Sequence, residues 1–131
     1  MEIFTNNPQV REHLGDRYAI RFIDGEYKDV LNATKRAIVD EQLVMLTHPL
    51  SGSIKPNETY YKSIVLMEQR NPSTDLESLE YIEHAIDTHN KFEQIARRPQ
   101  WNDRILEDFA VIDYDLIQSA LEQIKVPPAY L

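Results

Sequence analysis

Residues 43–58 read LVMLTHPLSGSIKPNE, a short apolar run that is followed directly by a polar loop. The continuous apolar run at 43–46 predicts a buried strand. No helical pattern separates this strand from the next strand candidate, at residues 60–67. Because a parallel neighbour usually requires a crossover helix, we predict that 60–67 pairs antiparallel, at or near a sheet edge.

Two strand–helix units precede this stretch. Residues 2–5 are the first strand candidate, and Asn7 and Pro8 predict the start of a short helix, as its cap and its first residue. Residues 18–23 are rich in strand formers, and the apolar residues that follow Asp24-Gly25 recur at helical spacing. Alternating strands and helices favour a three-layer α/β core.

The chain becomes helical after residue 67. Apolar residues at helical spacing predict a long helix from Leu76 to about Arg97. Acidic and apolar residues mix at 108–116, which predicts a helix-to-helix corner with Asp113 or Asp115 as the cap of a last helix. The predicted fold is therefore α/β and three-layered, with a short, mainly parallel sheet of about four strands (β-α-β-α-β-β) and a helical C-terminal part.

Length and composition predict a single domain over residues 1–131, with a sheet-forming part at 1–67 and a helical part at 68–131. The hydrophobic content of 42% is enough for a core, and the absence of cysteine excludes a disulfide framework, a thiolate metal site and a cysteine nucleophile. No apolar stretch approaches the roughly 20 residues that cross a bilayer, and the N-terminus lacks the basic flank of a signal peptide. We therefore predict a cytoplasmic protein that does not bind membranes.

The negative charge is concentrated in the second half of the chain. Residues 1–62 hold 8 Lys/Arg and 9 Asp/Glu, a balance of −1, whereas residues 63–131 hold 6 and 13, a balance of −7. Such a surface repels phosphate backbones, so we expect no nucleic-acid partner. A solvated helical face is the ordinary interpretation of this bias, and a docking face for a basic partner is the functional one.

Each of the three strands that we predict to be parallel ends in polar residues. In open α/β sheets, ligands bind beyond the carboxyl ends of the strands. The helix N-termini near residues 7–9 and 25–27 add partial positive charge there, so this edge predicts a small anionic ligand. The candidate ligand-binding residues are Asn6, Asn7, Asp24, Thr47, His48, Ser51, Gly52, Ser53, Lys55 and Asn57.

These residues also have ordinary structural interpretations. Asn7 and Asp24 are typical helix caps, residues 51–53 are a typical turn, and His48 can hydrogen-bond a loop carbonyl. The chain contains no G-x-S-x-G elbow, no phosphate-binding glycine loop and no H-E-x-x-H pattern. We therefore assign no catalytic residue, no metal site and no cofactor, and favour a protein that is not an enzyme.

The sequence is also compatible with two functions other than a binding or accessory role. A small-molecule enzyme that acts on an amine or carboxylate would use His48 as its acid/base group and Lys55 as an anion contact. A protein-interaction module would act through the acidic helices. The sequence also leaves a homodimer open.

A family resemblance is carried by residues 5–8, 22–25, 46–59, 61–63, 108–110 and 112–114, of which 46–59, LTHPLSGSIKPNET, is the longest. Together these segments resemble the GrdX family. These are small proteins encoded beside the glycine, sarcosine and betaine reductase components of amino-acid-fermenting anaerobes. The resemblance implies an accessory or regulatory role in reductive amino-acid metabolism, with a reductase component as a partner, and it supplies no catalytic residues.

Overall fold

The structure of the protein, a computed structural model, describes residues 1–50, 59–69, 73–95 and 100–124. Helices lie on both faces of one four-stranded sheet, which confirms the predicted α/β fold with a helical C-terminal part. In chain order the elements are β1 (Glu2–Thr5), α1 (Pro8–Leu14), β2 (Ala19–Phe22), α2 (Tyr27–Asp40), β3 (Val44–Met45), β4 (Ser63–Met67), α3 (Leu76–Ile95) and α4 (Asp103–Gln123).

The strand order across the sheet is β2-β1-β4-β3. β1 pairs parallel with β2, from Glu2 opposite Ala19 to Thr5 opposite Phe22. β4 pairs antiparallel with both β1 and β3, as predicted, and lies between them, one place in from the edge. The sheet is therefore mixed rather than mainly parallel, with one parallel and two antiparallel pairings. β1, β2 and β3 all run in the same direction.

Alternating side chains along β1 and β4 build a separate core on each face of the sheet. Phe4, Ile64 and Leu66 belong to the core that α2 and α3 cover. Ile3 and Val65 point the other way, into the core that α1 and α4 cover. All five side chains are fully buried, so the two central strands form the middle layer of the three.

The start of α2 is held by a side chain from its own first turn, because the Glu26 N–H donates to the Asp29 carboxylate at 2.7 Å. Glu26 is the residue that caps α2, and the predicted cap, Asp24, is exposed and lies two residues before it. A Cβ on Gly25 would lie 2.5 Å from Oδ2 of Asp29. The close approach of this carboxylate therefore requires a residue without a side chain at position 25.

α3 and α4 are the longest of the described helices, with 20 and 21 residues. The Asp75 carboxylate accepts from the Ser78 N–H at 3.0 Å and so holds the first turn of α3. Within the described parts of the chain, no helix has both the length and the apolar character that a membrane crossing requires.

α4 runs unbroken from Asp103 to Gln123, so the predicted corner at 108–116 and the cap at Asp113 or Asp115 are wrong. The Asn102 side chain caps this helix, since it accepts from the Ile105 N–H at 2.9 Å. Asp113 lies in the middle of the helix and is buried. Aspartate favours caps because it competes for backbone groups, but here partners on other elements satisfy its carboxylate.

Candidate functional site

The carboxyl ends of β1, β2 and β3 meet at one edge of the sheet, beside the start of β4. We call this the strand-exit edge and define it by residues 5–7, 23–26, 46–50 and 59–63. It holds five of the predicted binding residues, Asn6, Asn7, Asp24, Thr47 and His48. The other five, Ser51, Gly52, Ser53, Lys55 and Asn57, lie outside the residues that the structure describes.

Asn6 joins three segments of the strand-exit edge. Its Nδ2 donates to the carbonyl of Gly25 at 3.1 Å and to that of Tyr60 at 2.8 Å. Its Oδ1 accepts from the Lys62 N–H at 2.9 Å. Both amide protons are thereby used within the protein, and the side chain is buried. Asn6 therefore fixes the loops around the edge.

Asn7 links α1 to α4. Its Oδ1 accepts from the Gln9 N–H at 3.0 Å, which confirms the predicted helix cap. Its Nδ2 donates to the Ala110 carbonyl at 2.8 Å and to Oδ2 of Asp113 at 3.0 Å. Asn7 is fully buried, so this side chain acts as an anchor between helices in addition to capping one of them.

A chain of hydroxyl groups connects β1 and β4 to the same carboxylate. The Ser63 hydroxyl donates its single proton to Oδ2 of Asp113 at 2.7 Å, so it must accept from Oγ1 of Thr5, also at 2.7 Å. Oγ1 of Thr5 in turn accepts from the Asn7 N–H at 2.9 Å. Every proton in this buried network points towards Asp113, which is the arrangement that an ionised carboxylate needs.

Lys62 places a second buried ionisable group at the strand-exit edge. The residue is 5% exposed, and burial lowers the pKa of its ammonium group to about 8 against the opposing charge of Asp113. Burial likewise raises the pKa of Asp113, which the hydrogen bonds from Ser63 and Asn7 and the charge of Lys62 oppose. The two groups interact electrostatically, and burial disfavours the charged form of each.

Thr47 and His48 extend β3 into the edge. Oγ1 of Thr47 accepts from the Val65 N–H at 3.0 Å. His48 is exposed, and its Nδ1 accepts from the Leu50 N–H at 3.0 Å, so the neutral ring carries its proton on Nε2. Partial burial, followed by the charges of Lys62 and His84, lowers the pKa of His48. The imidazole is therefore neutral at pH 7, with a fixed tautomer.

Neither Lys62 nor Ser63 is among the binding residues predicted from the sequence, and Asp113 is predicted there as a cap. The sequence contains one indication that Lys62 is buried. It lies two residues before Ile64, a buried residue of β4, and side chains two residues apart along an extended chain point to the same side. Asp113 likewise shares one helix face with Ala110 and Ile117, both buried. A charged residue in phase with a buried stripe is a usable signal, because burial of an unpaired charge is costly.

The geometry provides a buried lysine, a buried aspartate and a neutral histidine at one sheet edge. Among the residues that the structure describes, no group of three or more His, Asp or Glu side chains could hold a metal ion. The electrostatic influence of Lys62 reaches both Asp113 and His48. This edge therefore combines a cation with a hydrogen-bond donor, and both suit an anion.

Comparison with known proteins gives one family. The model of the family described as GrdX-like protein matches residues 2–122, which is nearly the whole chain. No curated protein and no solved structure matches. The match includes the strand-exit edge and α4 up to its last turn. The chain therefore belongs to the GrdX-like protein family, as its resemblance to GrdX predicts.

Proposed function

We propose that this protein is an accessory or regulatory protein of reductive glycine, sarcosine or betaine metabolism and that it binds a small anionic ligand at the strand-exit edge. Membership of the GrdX-like family supports the first part, because the resemblance to GrdX implies an association with the glycine, sarcosine and betaine reductase systems. The burial of Lys62 at this edge carries the second part.

A lysine that is 5% exposed costs free energy unless negative charge compensates it. Asp113 supplies one such charge, because the two groups interact electrostatically. Hydrogen bonds from Ser63 and Asn7 fix the Asp113 carboxylate, and Lys62 also acts electrostatically on His48. A ligand carboxylate or phosphate beside Lys62 would add a second negative charge and favour the ammonium form.

His48 offers a second contact to such a ligand. Because Nδ1 accepts from the Leu50 N–H, the Nε2–H is the ring's donor. The ring of Tyr81 lies 5.1 Å from the imidazole ring, tilted by 54°, and restricts its orientation. A small anion that bridges Lys62 and His48 would receive one charged and one neutral hydrogen bond.

Thermal-shift measurements with phosphate, acetyl phosphate, glycine, betaine and nucleotides test this proposal. A bound ligand stabilises the native state as the logarithm of its excess over Kd, so we expect Tm to rise with ligand concentration for an anionic member of the panel. Lys62→Met should abolish the rise, and Lys28→Met, at an exposed lysine on α2, should keep it. A panel with no shift, or an equal shift in both variants, would contradict the proposal.

A small-molecule enzyme is the second candidate, and the fixed tautomer of His48 favours it. A neutral imidazole with a lowered pKa is suited to proton transfer near pH 7. Once a turnover assay exists, His48→Gln should reduce kcat by about 100-fold or more if the ring transfers a proton. Unchanged kcat in this variant would exclude the role.

A further inference from the structure

The outer face of α4 exposes a compact apolar cluster. Val111, Ile112 and Leu116 are 43%, 41% and 46% exposed. Ile112 and Leu116 are four residues apart, so their side chains are neighbours on the helix surface. Val111 lies about 100° around the helix from Ile112, on the same exposed side. Of the other large exposed apolar residues of the described chain, Leu76 and Tyr81 are both on α3, five residues apart, and Met1 and Val39 lie elsewhere. Isolated exposed apolar residues are ordinary, but a contiguous group is typical of an interaction site.

The opposite face of α4 prevents the cluster from turning inwards. Ala110, Asp113 and Ile117 are buried on that face. Hydrogen bonds from Asn7 and Ser63 fix Asp113 against the sheet, so a rotation of the helix would break a buried network. The exposure of the cluster is thus a consequence of how α4 is anchored.

Acidic side chains lie between Val111 and the Ile112–Leu116 pair on this face of α4. α4 contains six acidic residues and one basic residue, Arg104. Asp108 and Asp115 each lie three or four residues from Ile112, on the same exposed side. Within the described residues, neither of these two carboxylates forms an ion pair. Their negative charge is therefore available to a partner.

We propose that the outer face of α4, centred on Val111, Ile112 and Leu116, is a docking surface for a partner protein whose contact surface combines apolar side chains with lysine or arginine. Charge complementarity selects this occupant, because basic groups would meet Asp108 and Asp115. A second copy of the chain would bring like charges together. In addition, the area that three half-exposed side chains can bury is far smaller than the roughly 800 Å² per partner that a stable dimer buries. The surface fits a small, transient contact.

The test uses the full chain and three synthetic amphipathic helical peptides. They share one leucine face and carry lysine, glutamine or glutamate beside it. We expect the lysine peptide to bind at least tenfold more tightly than the glutamine peptide and to perturb backbone amide NMR signals within residues 108–119. Raising the salt concentration should weaken this binding.

Matched variants locate the contact. Val111→Gln and Leu116→Gln leave the net charge unchanged, and we expect each to weaken binding of the lysine peptide at least fivefold. Val39→Gln, at a valine that is 42% exposed on α2, should change Kd less than twofold. Asp115→Asn should weaken binding more than Asp40→Asn, at the exposed end of α2.

Three results would overturn the proposal. The first is equal affinity for the lysine and glutamine peptides, and the second is unaltered binding in both α4 variants. The third is a dimer, seen by analytical ultracentrifugation, that Leu116→Gln dissociates, because a second copy would then be the occupant. A failed thermal-shift screen leaves this proposal intact, since no ligand at the strand-exit edge is involved.

Discussion

The Ser63 hydroxyl and the Asp113 carboxylate form a 2.7 Å hydrogen bond that ties the first residue of β4 to the middle of α4. The same carboxylate oxygen accepts from Asn7 at 3.0 Å. Partners that lie 50 and 106 residues from Asp113 in the chain therefore meet at one buried atom. This contact anchors the C-terminal helix, and it sets both the charge near Lys62 and the orientation of the exposed α4 face.

Replacement of Asp113 should destabilise the protein strongly. Asp113→Ala leaves the buried donors of Asn7 and Ser63 without their acceptor and removes a negative charge near Lys62, so we expect a loss of about 3 kcal/mol in the free energy of unfolding. Asp115→Ala, two residues along the same helix but exposed, should cost less than about 0.5 kcal/mol. Urea denaturation measures both, and similar losses in the two variants would refute the structural role of Asp113.

The free energy of unfolding should rise between about pH 8 and pH 10 because of Lys62. The folded lysine loses its proton near its lowered pKa of about 8, whereas the unfolded lysine keeps it up to its ordinary value of 10.5. The unfolded state then binds more protons, so stability increases with pH, here by on the order of 1–3 kcal/mol.

Lys62→Met should abolish this rise in the free energy of unfolding with pH, and Lys28→Met should retain it. Tyr27 acts in the opposite direction above about pH 10, because burial raises the pKa of its hydroxyl and the unfolded state then loses the proton first. Denaturation midpoints between pH 7.5 and pH 10 are therefore compared for wild type and both variants. Identical pH dependence in wild type and Lys62→Met would contradict the lowered pKa.

Gln42 occupies a backbone conformation that suits glycine. Its φ is 58°, and it links α2 to β3 where the Leu43 N–H donates to the Ala37 carbonyl at 3.2 Å. Glycine adopts this left-handed conformation without steric cost, so Gln42→Gly should stabilise the protein by about 0.5–1 kcal/mol. The carbonyl that accepts from the Gln69 amide at 3.1 Å belongs to the backbone and is retained.

The control for this change is Gln42→Ala, which keeps the steric cost and should gain nothing. Thermal unfolding distinguishes the variants, because a gain of this size raises Tm by a few degrees. A lower Tm for Gln42→Gly than for Gln42→Ala would show that conformational strain is not the dominant factor at this position.

A side chain at position 25 should weaken the start of α2. The Cβ of Gly25→Ala would lie 2.5 Å from Oδ2 of Asp29 and displace the carboxylate that accepts from the Glu26 N–H. We expect a loss of about 1 kcal/mol, typical of a lost helix cap. In an Asp29→Gly background, which removes the Asp29 Cβ at 2.9 Å together with the carboxylate, the same substitution should have little effect. A double-mutant cycle by urea denaturation measures this coupling. Additive losses would exclude the proposed clash.

Structural features that depend on residues close together in the sequence can be predicted from this sequence. Asn7 and Pro8 predict the start of α1, and Asn7 caps it as expected. The alternation of strands and helices predicts the common edge at which β1, β2 and β3 end, because successive strands of this kind run in the same direction. The candidate site could be located through that topology alone.

Structural features that depend on contacts between residues far apart in the sequence cannot be predicted in this way. Asp113 reads as a helix cap because its partners, Asn7 and Ser63, lie far away in the chain. The insertion of β4 between β1 and β3 depends on pairing energies across the whole sheet, which no local pattern contains. Asn6 and His48 indicate the polar character of the edge from the sequence, and the phase of Lys62 with Ile64 indicates that the lysine is buried. The interaction of Lys62 with Asp113 depends on how distant segments pack together, which no local pattern contains.

The strand order also determines when the protein can fold during synthesis. β1 is made first, yet one of its two neighbours, β4, is complete only at residue 67. A nascent chain that stops earlier leaves β1 and β3 with open hydrogen-bonding edges, which are prone to pair with other chains. The hydrogen bond between Asn7 and Asp113 can form only later, after Asp113 has left the ribosome. Chains stalled before α4 should therefore be the main substrates for chaperones and proteases.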